Sequence, residues 1–269
     1  TGPDVPALDD VLVGWNAGMN LGVFALSRSG TLVHAARGIT PDENEIVLID
    51  RAGTRQAVLL EPGRYHYPQL SPDGTRVAVT PRTDRGSGDV WVHDLAVGRS
   101  QRLLTEHASI RPVWSADGAS VFFGYFPAGS FDLYRSPANR ANAAELLHAA
   151  PYGQTPSSVS RDGSLLVFVE RNQQTDNDIH ILSLDDGTIA PFIATPATET
   201  SASISPDGRF MTYVSNVSGQ DEVYVGPISG GGGMPVSGGG GVAPRWSPDG
   251  DELFYMDGPT MMAVQVVYE

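Results

Sequence analysis

Ser71-Pro72-Asp73-Gly74 decides the fold, because the chain repeats it. The pattern returns as Ser115-Ala116-Asp117-Gly118, Ser160-Arg161-Asp162-Gly163, Ser205-Pro206-Asp207-Gly208 and Ser247-Pro248-Asp249-Gly250, with a degenerate first copy at Ser27-Arg28-Ser29-Gly30. From Gly30 to Gly250 the closing glycines stand 44, 44, 45, 45 and 42 residues apart. A fixed period of this size marks a repeat architecture. The four residues have the chemistry of a tight turn: proline presets the first corner, Asp bonds its own backbone, and Gly accepts the positive φ that a residue with Cβ resists. Each copy therefore predicts a hairpin tip.

The flanking runs agree. Val113-Trp114 and Arg245-Trp246 precede tips, and Arg76-Val77-Ala78-Val79, Ser120-Val121-Phe122-Phe123, Leu165-Leu166-Val167-Phe168-Val169 and Phe210-Met211-Thr212-Tyr213-Val214 follow them. Such short runs, rich in β-branched and aromatic residues, predict strands buried on both faces. A second motif comes after a polar loop: Asp89-Val90-Trp91-Val92, Asp132-Leu133-Tyr134, Asp178-Ile179-His180-Ile181 and Glu222-Val223-Tyr224-Val225. A short apolar patch, such as Arg102-Leu103-Leu104 or Pro191-Phe192-Ile193, closes most units. Four strands in each of six units predict an all-β chain, a six-bladed β-propeller of four-stranded antiparallel blades.

Six blades use nearly all 269 residues, so a single domain over 1–269 is expected. Its parts are 1–15 as a strand closing blade 6, then 16–61, 62–106, 107–150, 151–195, 196–238 and 239–269 as blades 1 to 6. The last unit ends after three strands, so Val5 to Trp15 is expected to supply the fourth and tie the ring together. Two glycine runs, Gly230 to Gly233 and Gly238 to Gly241, bracket the short strand Met234 to Ser237 and read as permissive loops.

Composition excludes several chemistries. The formal charge is −14, with 31 acidic residues against 17 basic ones, and every basic residue is arginine. A phosphate-binding face needs a basic patch, so nucleic acid and anionic membrane surfaces are disfavoured as partners. Without lysine there is no Schiff-base, phosphate-loop or kinase lysine. Without cysteine there is no disulfide, thiolate metal site or thiol nucleophile. No apolar run is long enough to insert in a bilayer as a helix, no targeting segment is visible, and a monomer is expected.

The tips at this period, with Pro244-Arg245-Trp246 before one and Glu252-Leu253-Phe254-Tyr255 after it, resemble the WD40-like repeats of the TolB-type six-bladed propellers. The resemblance covers about Val5 to Val266. More narrowly, Tyr213-Val214-Ser215-Asn216, Gly219 to Val225, Ala243 to Asp249 and Met261-Met262-Ala263-Val264 look like the propeller that follows the kinase domain in some bacterial serine/threonine kinases. That likeness implies an extracytoplasmic sensor, periplasmic or at the cell surface. A TolB-like or peptidase-like assembly, in which the propeller accompanies another domain, is an alternative context. One propeller scaffold carries many activities, so the resemblance speaks to fold more than to function.

A search for chemistry finds no Gly-x-Ser-x-Gly, and the tip serines recur in every blade as turn residues do. The six histidines form no zinc motif, so no metal site and no cofactor is expected. His180 takes the place of Trp91, Tyr134 and Tyr224 in other blades and reads as packing. Carboxylates aimed into a channel could hold structural Ca²⁺. The recurrent Asp89, Asp132, Asp178 and Glu222 sit at one repeat position and are better explained by a blade-building hydrogen bond than by one ion.

Binding residues are expected at the end opposite the tips, on loops between second and third strands and between blades. The candidates there are Tyr65, His66, Arg82, Arg85, His107, Arg111, Phe126, Tyr152, Gln154, Arg171 and Glu199, with Gln69 and Arg245 facing the channel. Tyr and Arg are the types enriched at binding hot spots. The expectation is a non-catalytic recognition module for a protein or small extracytoplasmic ligand. A hydrolase or lyase at the channel mouth, with His66 or His107 as base and Glu199 as its acidic partner, is the alternative.

Overall fold

The computed structural model describes residues 3–8, 13–16, 19–22, 24–28, 30–37, 44–50, 54–58, 64–83, 86–104, 107–140 and 143–267. Among them every regular element is a strand, and no helix is long and apolar enough to cross a membrane. In chain order the strands form six four-stranded antiparallel sheets, the blades of a six-bladed β-propeller. The backbone packs as two compact units, Val23–Pro156 and Thr1–Gly22 with Ser157–Glu269.

In Val23–Pro156, blade 1 is Phe24–Leu26, Leu32–Arg37, Asn44–Ile49 and Arg55–Val58. Blade 2 is Tyr65–Leu70, Arg76–Thr83, Trp91–Asp94 and Arg99–Arg102, with the short strand Gly86–Ser87 returning on Arg76–Thr83. Blade 3 is Ser109–Trp114, Ser120–Ala128, Ser130–Pro137 and Glu145–His148. The apolar runs explain why these sheets stack: Ala78, Val90, Val92 and Leu103 of blade 2 form one buried cluster with Trp114, Val121, Phe123 and Tyr125 of blade 3. Neither sheet could bury these side chains alone, and each fully buried Val, Leu or Phe contributes about 1.5–3 kcal/mol.

The second unit repeats the plan. Blade 4 is Gln154–Val159, which enters from the first unit, then Leu165–Asn172, Asp176–Ser183 and Ile189–Ile193. Blade 5 is Glu199–Ile204, Phe210–Ser215, Glu222–Pro227 and Met234–Pro235. Val167, Val169 and Ile179 of blade 4 are buried with Ala202, Ile204, Met211, Tyr213 and Tyr224 of blade 5. Blade 6 is Val242–Trp246, Glu252–Asp257 and Thr260–Gln265, completed by the N-terminal strand Asp4–Leu8. Asp4 pairs with Val264, Val5 with Ala263 and Pro6 with Met262, and the Tyr255 hydroxyl donates to the Asp4 carboxylate at 2.7 Å.

The closing strand is thus shorter than Val5 to Trp15. Val13–Asn16, which carries Trp15, pairs instead with Met19–Gly22 in a separate hairpin, Asn16 opposite Met19. With Asn16 opposite Met19, the local hairpin partner is only three residues away along the chain, whereas Thr260–Gln265 of blade 6 is about 245 residues distant, and local pairing costs less chain entropy.

The tips form as their chemistry dictates. In blade 2 the Ser71 hydroxyl accepts from the Arg76 amide at 2.9 Å and donates to Asp73 Oδ1 at 2.6 Å, while Asp73 accepts from the Thr75 amide at 3.0 Å. The same net recurs at Ser115, Ser160, Ser205 and Ser247. Gly74 closes the turn with φ of 73°. The first glycine run has two causes: Gly230, Gly231 and Gly232 all have positive φ, and a Cβ on Gly233 would lie 2.7 Å from the Tyr213 hydroxyl.

Candidate functional site

Among the described residues, four inner strands share a distortion that glycine does not announce. Tyr67, Arg111, Ser201 and Ala243 have φ of 55°, 53°, 56° and 54°. Each stands four residues before a tip serine, and in each strand the pairing register shifts around it. Such β-bulges re-aim side chains, and a non-glycine residue held at positive φ costs on the order of 1–3 kcal/mol. In Val23–Pro156 two of these residues meet. The Arg111 guanidinium, in a side chain almost wholly buried, lies over the Tyr67 ring at 5.4 Å from its centre. The His66 ring is 5.9 Å from that of Tyr67.

Blade 3 carries an aromatic group at its end opposite the tip. The Phe126 amide donates to the Ala108 carbonyl at 2.9 Å, which places Phe126 beside the segment that carries His107. The exposed His107 ring is 5.7 Å from Tyr125, and Phe126 is 5.1 Å from Phe131 across the turn between the second and third strands. The Tyr152 segment joins them, because the Gly153 backbone lies against Phe131. Its conformation is held by Gln154, whose side-chain amide donates to the Tyr152 carbonyl from a fully buried position. Phe126 and Tyr152 keep 38% and 36% of their surfaces exposed, an uneconomical use of two large rings unless something covers them.

The remaining candidates scatter. Tyr65 and His66 start the inner strand of blade 2 and are half-buried. Gln69, in the same strand, accepts the Trp114 indole N–H at its carbonyl. The Arg82 backbone pairs with Ser87, while Arg85 and its neighbour Asp84 lie outside the described residues. Arg171 is exposed at the end of Leu165–Asn172, and Arg245 is half-buried, donating to the Pro244 carbonyl at 2.8 Å. Arg111, Gln154 and Glu199 depart from the loop expectation. They belong to inner strands and are buried, because the inner strand begins earlier relative to the tip than the repeat suggested.

Glu199 has a chemistry of its own, within Ser157–Glu269. Its side chain is 0% exposed, and its Oε1 accepts from Thr195 Oγ1 at 2.5 Å and from Ser215 Oγ at 3.4 Å. Burial pushes its carboxyl above the usual range, the Thr195 bonds pull it back, and the charge of Asp178 raises it further. Asp178 is 1% exposed and accepts from Thr175 Oγ1 at 2.7 Å. The loop ahead of Glu199 is tied to blade 4 by Thr198 Oγ1, which donates to Asp176 at 2.8 Å, and to blade 5 by the Thr198 amide, which donates to Asn216 at 2.9 Å. The sequence does not announce the pair, because Asp178 occupies a repeat position that reads as structural and Glu199 lies in another blade. His180 stacks on Phe168 at 5.4 Å, as a packing residue does.

No family model matches the chain. The Bacillus subtilis (strain 168) protein named Uncharacterized peptidase YuxL is 23% identical over 196 residues, 58% of this chain and 30% of its own length, so the chain spans under a third of that relative. Among solved structures, TolB from Acinetobacter baumannii superposes with a TM-score of 0.65 at 17% identity, covering 98% of this chain and 55% of that one. A putative TolB from Agrobacterium tumefaciens gives 0.66 at 20% identity, covering 74% and 72%. A gluconolactonase from Xanthomonas campestris gives 0.68 at 16%, covering 98% and 97%. The chain is similar in fold to TolB β-propellers, and the same fold is shared by enzymes.

Proposed function

We propose that this chain is a non-catalytic recognition module that binds a protein segment on the aromatic end of blade 3. The observation that carries the reading is the exposed His107, Phe126 and Tyr152 grouped around half-buried Phe131, set on rigid strands and fixed from beneath by Gln154. Aromatic rings on an inflexible frame give large contact area at little entropic cost, which is how binding hot spots are built. Arg111 stacked on Tyr67 stiffens the adjoining inner strands. The fuller form of this reading places the surface outside the cytoplasm, in a signalling protein, as the resemblance to the kinase propellers implies.

Selection of displayed random peptides against the chain tests it. Peptides that bind the parent are expected to lose about tenfold or more in affinity for a Phe126→Ala/Tyr152→Ala variant, the loss typical of hot-spot truncation. Peptides that bind both proteins equally would move the recognition surface elsewhere.

A further inference from the structure

We propose that Asp178 and Glu199 together hold a divalent cation, Ca²⁺ by the nature of the donors, at the junction of blades 4 and 5. The repeat shows why this junction is unlike the others. Glu199 stands six residues before its tip serine, where blade 3 has Ser109, and Asp178 stands where blade 2 has Asp89. Between blades 2 and 3, the Ser109 hydroxyl accepts the Val90 amide at 2.7 Å, and Asp89 is neutralised by Arg102. In blade 5, Ser237 accepts the Val223 amide at 2.9 Å and donates to Glu222. Each of these carboxylates has a hydroxyl or a guanidinium to answer it. At Asp178 the place of the hydroxyl is taken by a second carboxylate.

Nothing among the described residues balances the pair. Asp178 Oδ1 and Glu199 Oε2 are both buried and have no hydrogen-bond partner, although each carboxylate's other oxygen is engaged by threonine. Among the described residues neither makes an ion pair, and the charge that acts on Glu199 is that of Asp178. Two like charges withdrawn from water, each with an empty oxygen, are costly unless a counter-charge sits with them. A doubly charged ion matches two carboxylates.

The donor set selects the ion. All candidate ligands are oxygens, which suits a hard cation. No third carboxylate or histidine converges on the pair among the described residues, so backbone carbonyls, the hydroxyls of Thr175 and Thr195 or water must complete the shell. Ca²⁺ accepts such mixed and irregular shells, whereas Mg²⁺ demands a near-ideal octahedron and gives up water reluctantly. The ion would join the third strand of blade 4 to the inner strand of blade 5, as a stabilising clamp distinct from the aromatic surface of blade 3.

The test uses the whole chain, freed of metal with a chelator and titrated calorimetrically with Ca²⁺. Binding of one ion per chain and a higher melting temperature with Ca²⁺ are expected. Asp178→Asn and Glu199→Gln, checked for folding by circular dichroism, are expected to weaken binding at least tenfold, while Asp89→Asn leaves it unchanged. A parent protein that takes up no Ca²⁺, or variants that bind as the parent does, would overturn the proposal. Should both variants fail to fold, Tb³⁺ serves as the probe in the parent. The Glu199 charge reaches Tyr213, so tyrosine-sensitised Tb³⁺ emission should be displaced by Ca²⁺ and lost in Tyr213→Phe. Emission indifferent to Tyr213, or absent, would count against the site.

Discussion

The indole nitrogen of Trp114 donates to the backbone carbonyl of Gln69 at 3.0 Å, joining the inner strand of blade 3 to that of blade 2. Trp246 makes the equivalent bond to the Ser203 carbonyl at 3.1 Å, between blades 6 and 5. Both tryptophans stand one residue before a tip serine and both acceptors two residues before one, so the bond belongs to the repeat. The Arg76 guanidinium lies 4.8 Å from the centre of the Trp114 ring and donates to the Gly118 carbonyl at 2.8 Å. Trp114→Phe is expected to cost about 2 kcal/mol, because a partly buried carbonyl loses its donor and the smaller ring leaves a gap. Gln69→Ala keeps the carbonyl and is expected to cost less. Urea denaturation of the two variants gives the comparison.

Gly118 has φ of 70°, and a Cβ there would lie 3.3 Å from Arg76 Nη2. Gly118→Val is expected to destabilise the chain by about 1–3 kcal/mol through the left-handed backbone alone, with crowding of Arg76 added. Gly208, with φ of 74°, has open space around it, so Gly208→Val isolates the backbone cost. Equal melting of both variants and the parent would refute the turn geometry.

Acid should loosen the tips. The Ser71 hydroxyl, followed by the Thr75 amide, holds the Asp73 carboxyl down at about 2, and the Ser160 hydroxyl with the Ser164 amide does the same for Asp162, also about 2. The folded values lie below the unfolded one, so the unfolded chain binds more protons as the pH falls. The stability these groups contribute is complete above about pH 4 and is lost as the pH falls toward about 2. Chemical denaturation between about pH 5 and pH 2 should show this slope, and Ser71→Ala with Ser160→Ala should flatten it.

At the closing blade, Tyr255→Phe removes the bond to Asp4 and is expected to cost about 1 kcal/mol, since Asp4 is exposed. Deletion of residues 1–8 is expected to cost more, because Met261 and Val264 lose their strand neighbour. Thermal melting ranks the two. A truncated chain as stable as the parent would show that pairing with Thr260–Gln265 contributes nothing.

Much of the fold was legible because its grammar is local. Ser, Asp and Gly at fixed spacing encode a turn whose bonds all fall within six residues, and the alternation of turns with β-branched runs does the rest. What stayed hidden depends on neighbours distant in sequence. The bulges at Tyr67, Arg111, Ser201 and Ala243 carry positive φ on residues that do not advertise it, and on two of these strands Arg111 and Glu199 go under cover. Phe126 and Tyr152 were legible as candidates, yet their approach to Phe131 is set by blade packing. In the sequence Glu199 reads as an acid for a histidine, whereas the group whose charge acts on it is Asp178, an influence that no spacing rule foretells.

The pairing of Asp4–Leu8 with Thr260–Gln265 also bears on synthesis. A ribosome adding about 5–20 residues per second needs on the order of ten to fifty seconds to travel from one strand to the other. Throughout that interval the first strand has no partner to zip against, and once Thr260–Gln265 emerges its free edge is a template for any stray strand. The nascent chain must therefore hold Asp4–Leu8 unpaired until Thr260–Gln265 is made, so this most distant pairing is the one most exposed to misassembly during synthesis.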